Sequence, residues 1–222
     1  MAPLIVVSVV VMVMAVSYAR FVRAQKRRRA RTALAEKLGL RFDPDRDYAL
    51  ADRYRFLDKL RTAGGYRFAF NRFWGNYRGC QVTVFDYNYE MRDRSSSKGY
   101  DYYSCFVLRL PKLVPRLTIV REGLSSKIAQ ALGYEDIDFE SHQFSRKFCV
   151  RSSDKRFAYD FCNTRMVEYL LGNDDLNIEV DEDALAIIFN HRLDLAQIEP
   201  NLKRLVTLRS LMPEYLFSRS MR

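Results

Sequence analysis

Residues 4–22, LIVVSVVVMVMAVSYARFV, run without a break into a basic cluster, RAQKRRRAR at 23–31. Nineteen residues of helix at 1.5 Å rise span about 28 Å, close to the ~30 Å hydrocarbon core of a bilayer. The charge inside the stretch is Arg20, near its end, where a long side chain can reach the headgroups. The reading is a single membrane-spanning helix. The rival is a cleaved secretory signal, for which Ser17-Tyr18-Ala19 offers a small-x-small site. A signal carries its positive charge before the apolar core, and Met1-Ala2-Pro3 has no charged side chain. Arg20, Arg23, Lys26, Arg27, Arg28, Arg29 and Arg31 instead end or follow the core, and no acidic residue precedes Glu36. Lys and Arg close to a span stay in the cytoplasm. The expected topology is therefore N-terminus out, in a bacterial inner membrane, with the rest of the chain inside.

That flank also explains the net charge of +10. Of the 37 basic residues, seven precede position 32, leaving 30 against 27 acidic ones. A folded part so nearly neutral lacks the basic face that nucleic acid requires, so nucleic acid is not an expected partner. The cluster can attract anionic lipid headgroups, at about 1 kcal/mol per Lys or Arg near the surface, or it can set topology alone.

The expected organisation is an anchor at 1–22, a basic juxtamembrane helix at 23–38 ended by Gly39, and one cytoplasmic domain at 39–222. Leu34 and Leu38, four apart, can dock the juxtamembrane helix on the domain. Within the domain, Asp47 caps a helix over 48–60. Residues 66–70 and 80–89 alternate as strands, with turn residues at 74–79 and a polar loop at 91–99. Further strands are expected at 103–110, 117–120, 144–150, 156–161, 176–180 and 184–189, with Pro111 and Pro115 bracketing one turn and 181–183 making another. Helices are expected at 125–132, capped by Ser125 or Ser126, at 164–171, capped by Thr164, and over Ile198, Leu202, Leu205, Leu208 and Met212. Strands in adjacent pairs with helices between and after them predict an α+β fold with a largely antiparallel sheet and flanking helices.

The site inventory is sparse. Phosphate-loop, dinucleotide, nucleophile-elbow and zinc-helix motifs are all missing. Two histidines, His142 and His191, exclude a metal site built on several imidazoles. The cysteines at 80, 105, 149 and 162 form no C-x-x-C pair and read as small buried hydrophobes. No cofactor or metal is implied. Asp86 and Asp160 each sit between aromatic neighbours in strand-like runs, so each needs a donor; Arg109, Arg146, Lys147 and Arg156 are candidates. Asp136, Asp138 and Glu140 would share one strand face as a cation site, or else form a solvated edge or loop or pair with Arg146 and Lys147.

The run from Asp136 through FSRKFCV at 144–150, Ser153-Asp154 and TRMVEYLL at 164–171 resembles uncharacterised bacterial membrane-anchored proteins classed under domains of unknown function. They share a Phe-Glu, Phe-x-Val, Ser-Asp, aromatic-strand-then-helix layout. The resemblance implies a membrane anchor and no established activity, so no catalytic residue carries over. The functional expectation is a single-pass protein whose cytoplasmic domain binds lipid or a protein partner without catalysis. The alternative is a membrane-tethered hydrolase or transferase using Asp86, Asp160 or the 136–140 carboxylates.

Overall fold

A computed structural model describes residues 2–60, 67–91, 99–122 and 135–218, with side chains described from Met12 onward except at 59–60, 90–91 and 99–101. The expected helix at 125–132 and the loop at 92–98 lie outside these residues.

The first helix, α1 (Ala2–Leu38), is continuous across the expected boundary at 22/23. It ends where expected: Gly39 takes φ +68°, the left-handed conformation that stops a helix at little cost only for glycine. Its last turns dock on the domain. Ala35 is buried, and Leu34 and Leu38 pack on the same core. Leu40, just beyond, seats against Gly75, where a Cβ would come within 3.2 Å of it. Among the described residues no helix is long and apolar enough to cross a membrane. The side chains of α1 are described from Met12 onward and include the whole basic cluster; those of residues 4–11 of the expected span lie outside the described ones.

The domain is mixed α+β with an antiparallel sheet and flanking helices. Strands β1 (Arg41–Asp43), β2 (Arg67–Tyr77), β3 (Cys80–Met91), β4 (Gly99–Arg121) and β5 (Phe148–Ser152) neighbour one another in that order, and β6 (Ile178–Phe189) pairs with β4. All pairings are antiparallel. The β2–β3 turn is tighter than expected. Strand continues to Tyr77, and Arg78 (φ +53°) and Gly79 (φ +84°) make a two-residue turn whose twist matches a hairpin.

Strand β6 folds back on itself. Glu182 has φ +55°, and the Ile188 N–H donates to Asn177 O at 2.9 Å, although these residues are eleven apart. Ala184 to Phe189 then pair with Ser104 to Arg109, while Ile178 to Val180 pair with Leu117 to Ile119. So β4 wraps the folded arms of β6, and its own bend falls between Arg109 and Leu117, where the register shifts twice. Pro111 and Pro115 lie in that irregular stretch, where a missing N–H costs no ladder bond. The turns expected at both places are thus bends within hydrogen-bonded strands.

Two predicted strands are corrected in part or whole. Residues 144–150 divide into α3 (His142–Lys147) and β5; Ser141 Oγ accepts the Phe144 N–H and caps the helix. Residues 156–161 form α4 (Lys155–Phe161), because Asp154 accepts the Arg156 and Phe157 N–H groups and starts a helix burying Phe157, Ala158 and Phe161. Alternating aromatics mimic a strand there; the cap decides. In the next helix, α5 (Thr164–Leu171), the cap is Asn163, not Thr164. Asn163 accepts from the Met166 N–H and donates to Leu211 O at 3.0 Å, joining α5 to the end of α6 (Ile198–Leu211). The last helix buries Ile198, Leu202, Leu205 and Leu208 as expected, with α7 (Tyr215–Ser218) beyond it.

The core has two parts. The larger packs α1, α3, α4, α5, α6 and α7 on one face of the sheet, through residues such as Val84, Phe106, Leu117, Phe144 and Leu205. The smaller covers the other face of β2, β3, β4 and β6 with α2 (Tyr48–Arg53) and the 3-10 turn Arg55–Leu60. As expected, Asp47 caps α2, accepting the Leu50 N–H at 2.8 Å. Arg67 on β2 pairs with Asp52 and Asp58 and pins that layer.

Candidate functional site

Asp86 lies on β3, opposite Phe70 on β2 and Ser104 on β4, and it faces the helical layer. Its side chain is only 12% exposed. One oxygen accepts the Ser104 hydroxyl at 3.0 Å. The other accepts the Asn71 amide at 2.7 Å and Arg192 Nε–H at 2.9 Å. Ser104 Oγ in turn accepts the Leu193 N–H at 3.0 Å, fixing the loop that follows β6. Asn71 reaches Asp86 through a local distortion. The β2–β3 register slips between Phe70 and Phe73, and Asn71 takes φ +51°. A bulge of this kind re-aims a side chain, and asparagine tolerates the left-handed region better than most residues.

Arg31 on α1 completes the cluster. It and Asn71 line both the cavity that contains Asp86 and Ser104 and the adjoining groove. Its guanidinium is held below the ordinary arginine range by burial first and then by the positive charge of Arg192; Asp86 pulls the other way. Arg192 also lies over the Phe70 ring, 5.3 Å from its centre.

The groove has a volume of about 350 Å³ and runs between α1 and the sheet. Phe21, Ala24, Gln25, Arg27, Arg28 and Arg31 line its helical wall, at spacings of three, one, two, one and three that keep to one side of the helix. Phe42, Pro44, Phe70, Asn71 and Arg192 form the other wall. Arg27, Arg28, Arg31 and Arg192 line the groove, no carboxylate is among its described lining residues, and Asp86 sits in the adjoining cavity.

The other sequence candidates lie elsewhere. Asp160, on α4, accepts the Tyr215 hydroxyl at 2.9 Å and is not among the residues lining the Asp86 cavity. Residues 136–140 are not a strand with one carboxylate face: Asp136 makes a single bridge to Arg151, and Asp138 and Glu140 are exposed. Asp136 accepts the Val150 and Ile137 N–H groups at 2.9 and 3.1 Å. Together with Glu122 and Cys149 it forms a described trio whose donor atoms lie within 4.8 Å of one another. Burial, and then Asp136, push the Cys149 thiol up to about 11. That trio therefore carries a protonated thiol at neutral pH. Of the basic flank, Arg20, Arg23, Lys26, Arg27, Arg28 and Arg29 are exposed and Arg31 alone turns inward.

Arg192, Asn71 and Ser104 were not candidates on sequence. Asp86 was, but with Arg109, Arg146, Lys147 or Arg156 as partner. Arg109 instead pairs with Asp183 at 2.9 Å and Lys147 with Asp174 at 3.3 Å. The readable signal for Asn71 was an asparagine interrupting an aromatic strand run, where a bulge is most easily placed.

No family model matches the chain, and no curated protein matches it. Among solved structures, the crystal structure of the mycobacterial trehalose monomycolate transport factor A, TtfA, is similar at TM-score 0.61 and 15% identity, over 83% of this chain and 95% of that one. The likeness is one of fold.

Proposed function

We propose that the chain is a single-pass, membrane-anchored protein whose α+β domain faces the cytoplasm and binds a ligand without catalysis, at the groove between α1 and the sheet. The observation that carries this reading is the engagement of Asp86 by three donors of the chain itself. Donors from Asn71, Ser104 and Arg192 already hold its oxygens within the protein's own hydrogen-bond network. Ser104 has no imidazole beside it: neither histidine lines the cavity, and both are exposed. The apolar side chains of Met12, Val13, Met14, Val16, Phe21 and Val22 are all exposed, which suits contact with lipid. The structural neighbour TtfA is by name a transport factor, which is compatible with a binding role.

Two measurements test this. Alkaline carbonate extraction should leave the full chain in the membrane pellet, and a reporter fused after Arg222 should be active on the cytoplasmic side; release removes the anchor from the reading, and activity outside removes the cytoplasmic placement. Thermal unfolding of the detergent-solubilised chain against a panel of lipids, sugars, nucleotides and peptides should find a stabiliser whose effect disappears when Ala24→Trp fills the groove. Turnover of a generic ester, phosphate or glycoside substrate that is abolished by Asp86→Asn would replace binding by catalysis.

A further inference from the structure

The groove has a definite chemistry. Three phenylalanines from three elements, Phe21 on α1, Phe42 on β1 and Phe70 on β2, line it together with arginines from α1 and from the loop after β6. Apolar walls with a cationic wall, and no carboxylate among the described lining residues, select a ligand that is apolar along its length and negative at one end. A small anion would gain nothing from the phenylalanines, and a neutral lipid nothing from the arginines. Phe21 also belongs to the exposed apolar surface that includes Met12 to Val16 and Val22, so the groove is continuous with the part of α1 that meets lipid in the proposed arrangement.

Resting on the binding reading above, we infer that the groove takes an anionic amphiphile from the bilayer, its head between Arg28, Arg31 and Arg192 and its alkyl chain along Phe21, Phe42 and Phe70. The head neutralises the mutual repulsion of Arg31 and Arg192, which Asp86 alone leaves uncompensated. Because α1 supplies one wall, an occupied groove also cements the helix to the sheet.

The basic flank attracts anionic lipid wherever it is exposed, so the test must report position. The full chain is placed in phosphatidylcholine nanodiscs with a trace of phosphatidylglycerol bearing a diazirine on its acyl chain, irradiated, and the labelled peptides are mapped. An occupied groove places label on the sheet wall, around Phe42 and Phe70. Three arginines around the head predict labelling there at least about tenfold above that from the matching phosphatidylcholine probe. Arg28→Gln, at an exposed helix position that cannot unfold the domain, should lower the sheet-wall label, and Arg31→Gln should lower it further. Phe42→Ala should do so without altering label on α1. Label confined to α1, or equal label from both headgroups, overturns the inference. So does its removal by millimolar inorganic phosphate, which would make the site one for small anions. Carbonate resistance in the same sample, measured separately, shows whether the anchor stands regardless.

Discussion

Arg192 Nε lies 2.9 Å from Asp86 Oδ2, across 106 positions of sequence, and the two members of this pair are unequal. The carboxylate is 12% exposed and the guanidinium 41%. Asp86→Ala strands the Asn71 amide and the Ser104 hydroxyl and leaves Arg31 and Arg192 without their counter-charge. The expected cost is about 2–4 kcal/mol. Arg192→Ala leaves Asp86 its two neutral donors and removes a head still in contact with water, at a cost of about 1 kcal/mol or less. Urea unfolding of the detergent-solubilised chain should therefore rank Asp86→Ala well below Arg192→Ala; equal losses would mean that the pair, rather than the carboxylate, organises the cluster.

Asn71 combines a conformational and a hydrogen-bonding role, and substitution separates them. Glycine keeps φ +51° free of strain but loses the bond to Asp86; alanine loses both. Asn71→Ala should be less stable than Asn71→Gly by about 1 kcal/mol. Equilibrium unfolding of both variants checks this, and the reverse order would show that the bulge has rearranged.

The four cysteines divide by exposure. Cys80 is half-buried, whereas Cys105, Cys149 and Cys162 are buried and burial pushes their thiols up. At pH 8 a thiol reagent should label Cys80 on the folded chain and all four in denaturant. For Cys149, movement from 9.0 to about 11 lowers the reactive thiolate at that pH roughly a hundredfold. The folded state holds this proton more tightly than the unfolded one. Its contribution to stability is therefore complete below pH 9 and lost as pH rises towards about 11. Mass spectrometry after alkylation reads the first effect and thermal melts across pH 8–11 the second.

Docking of α1 rests on few side chains, and Ala35, 2% exposed, is central. Ala35→Glu buries a charge with no room for it and should cost about 3 kcal/mol at that contact. It should free the segment after Lys37 for proteolysis while leaving the sheet intact. The Lys37–Glu199 pair at 2.9 Å would not rescue it. Limited digestion, with circular dichroism of the remainder, distinguishes release of the helix from loss of the domain.

The sequence carried most of the fold and little of the cluster. Periodicity placed α6 and the β2–β3 hairpin because each presents one face to a core, and caps at Asp47 and Gly39 were legible because their chemistry is local. Residues 156–161 misled because alternating aromatics satisfy strand and helix patterns alike over six positions; Asp154 was the deciding signal. At Asp86 the need for a donor was readable, but Arg192 was not. That partner is fixed by β6 turning back at Glu182 and delivering the following loop to Ser104, a relation set by topology rather than by spacing.

The folded arms of β6 have one more effect. By filling the middle of the ladder they push its two outermost positions onto β1, three residues long, and β5, five. Among the described residues, Asp47 bridges Ala69 on the β2 edge beyond β1, and Asp136 and Ile137 occupy part of the β5 side. A chain so rich in phenylalanine and tyrosine could readily template its own stacking, and these truncated borders guard it against that fate.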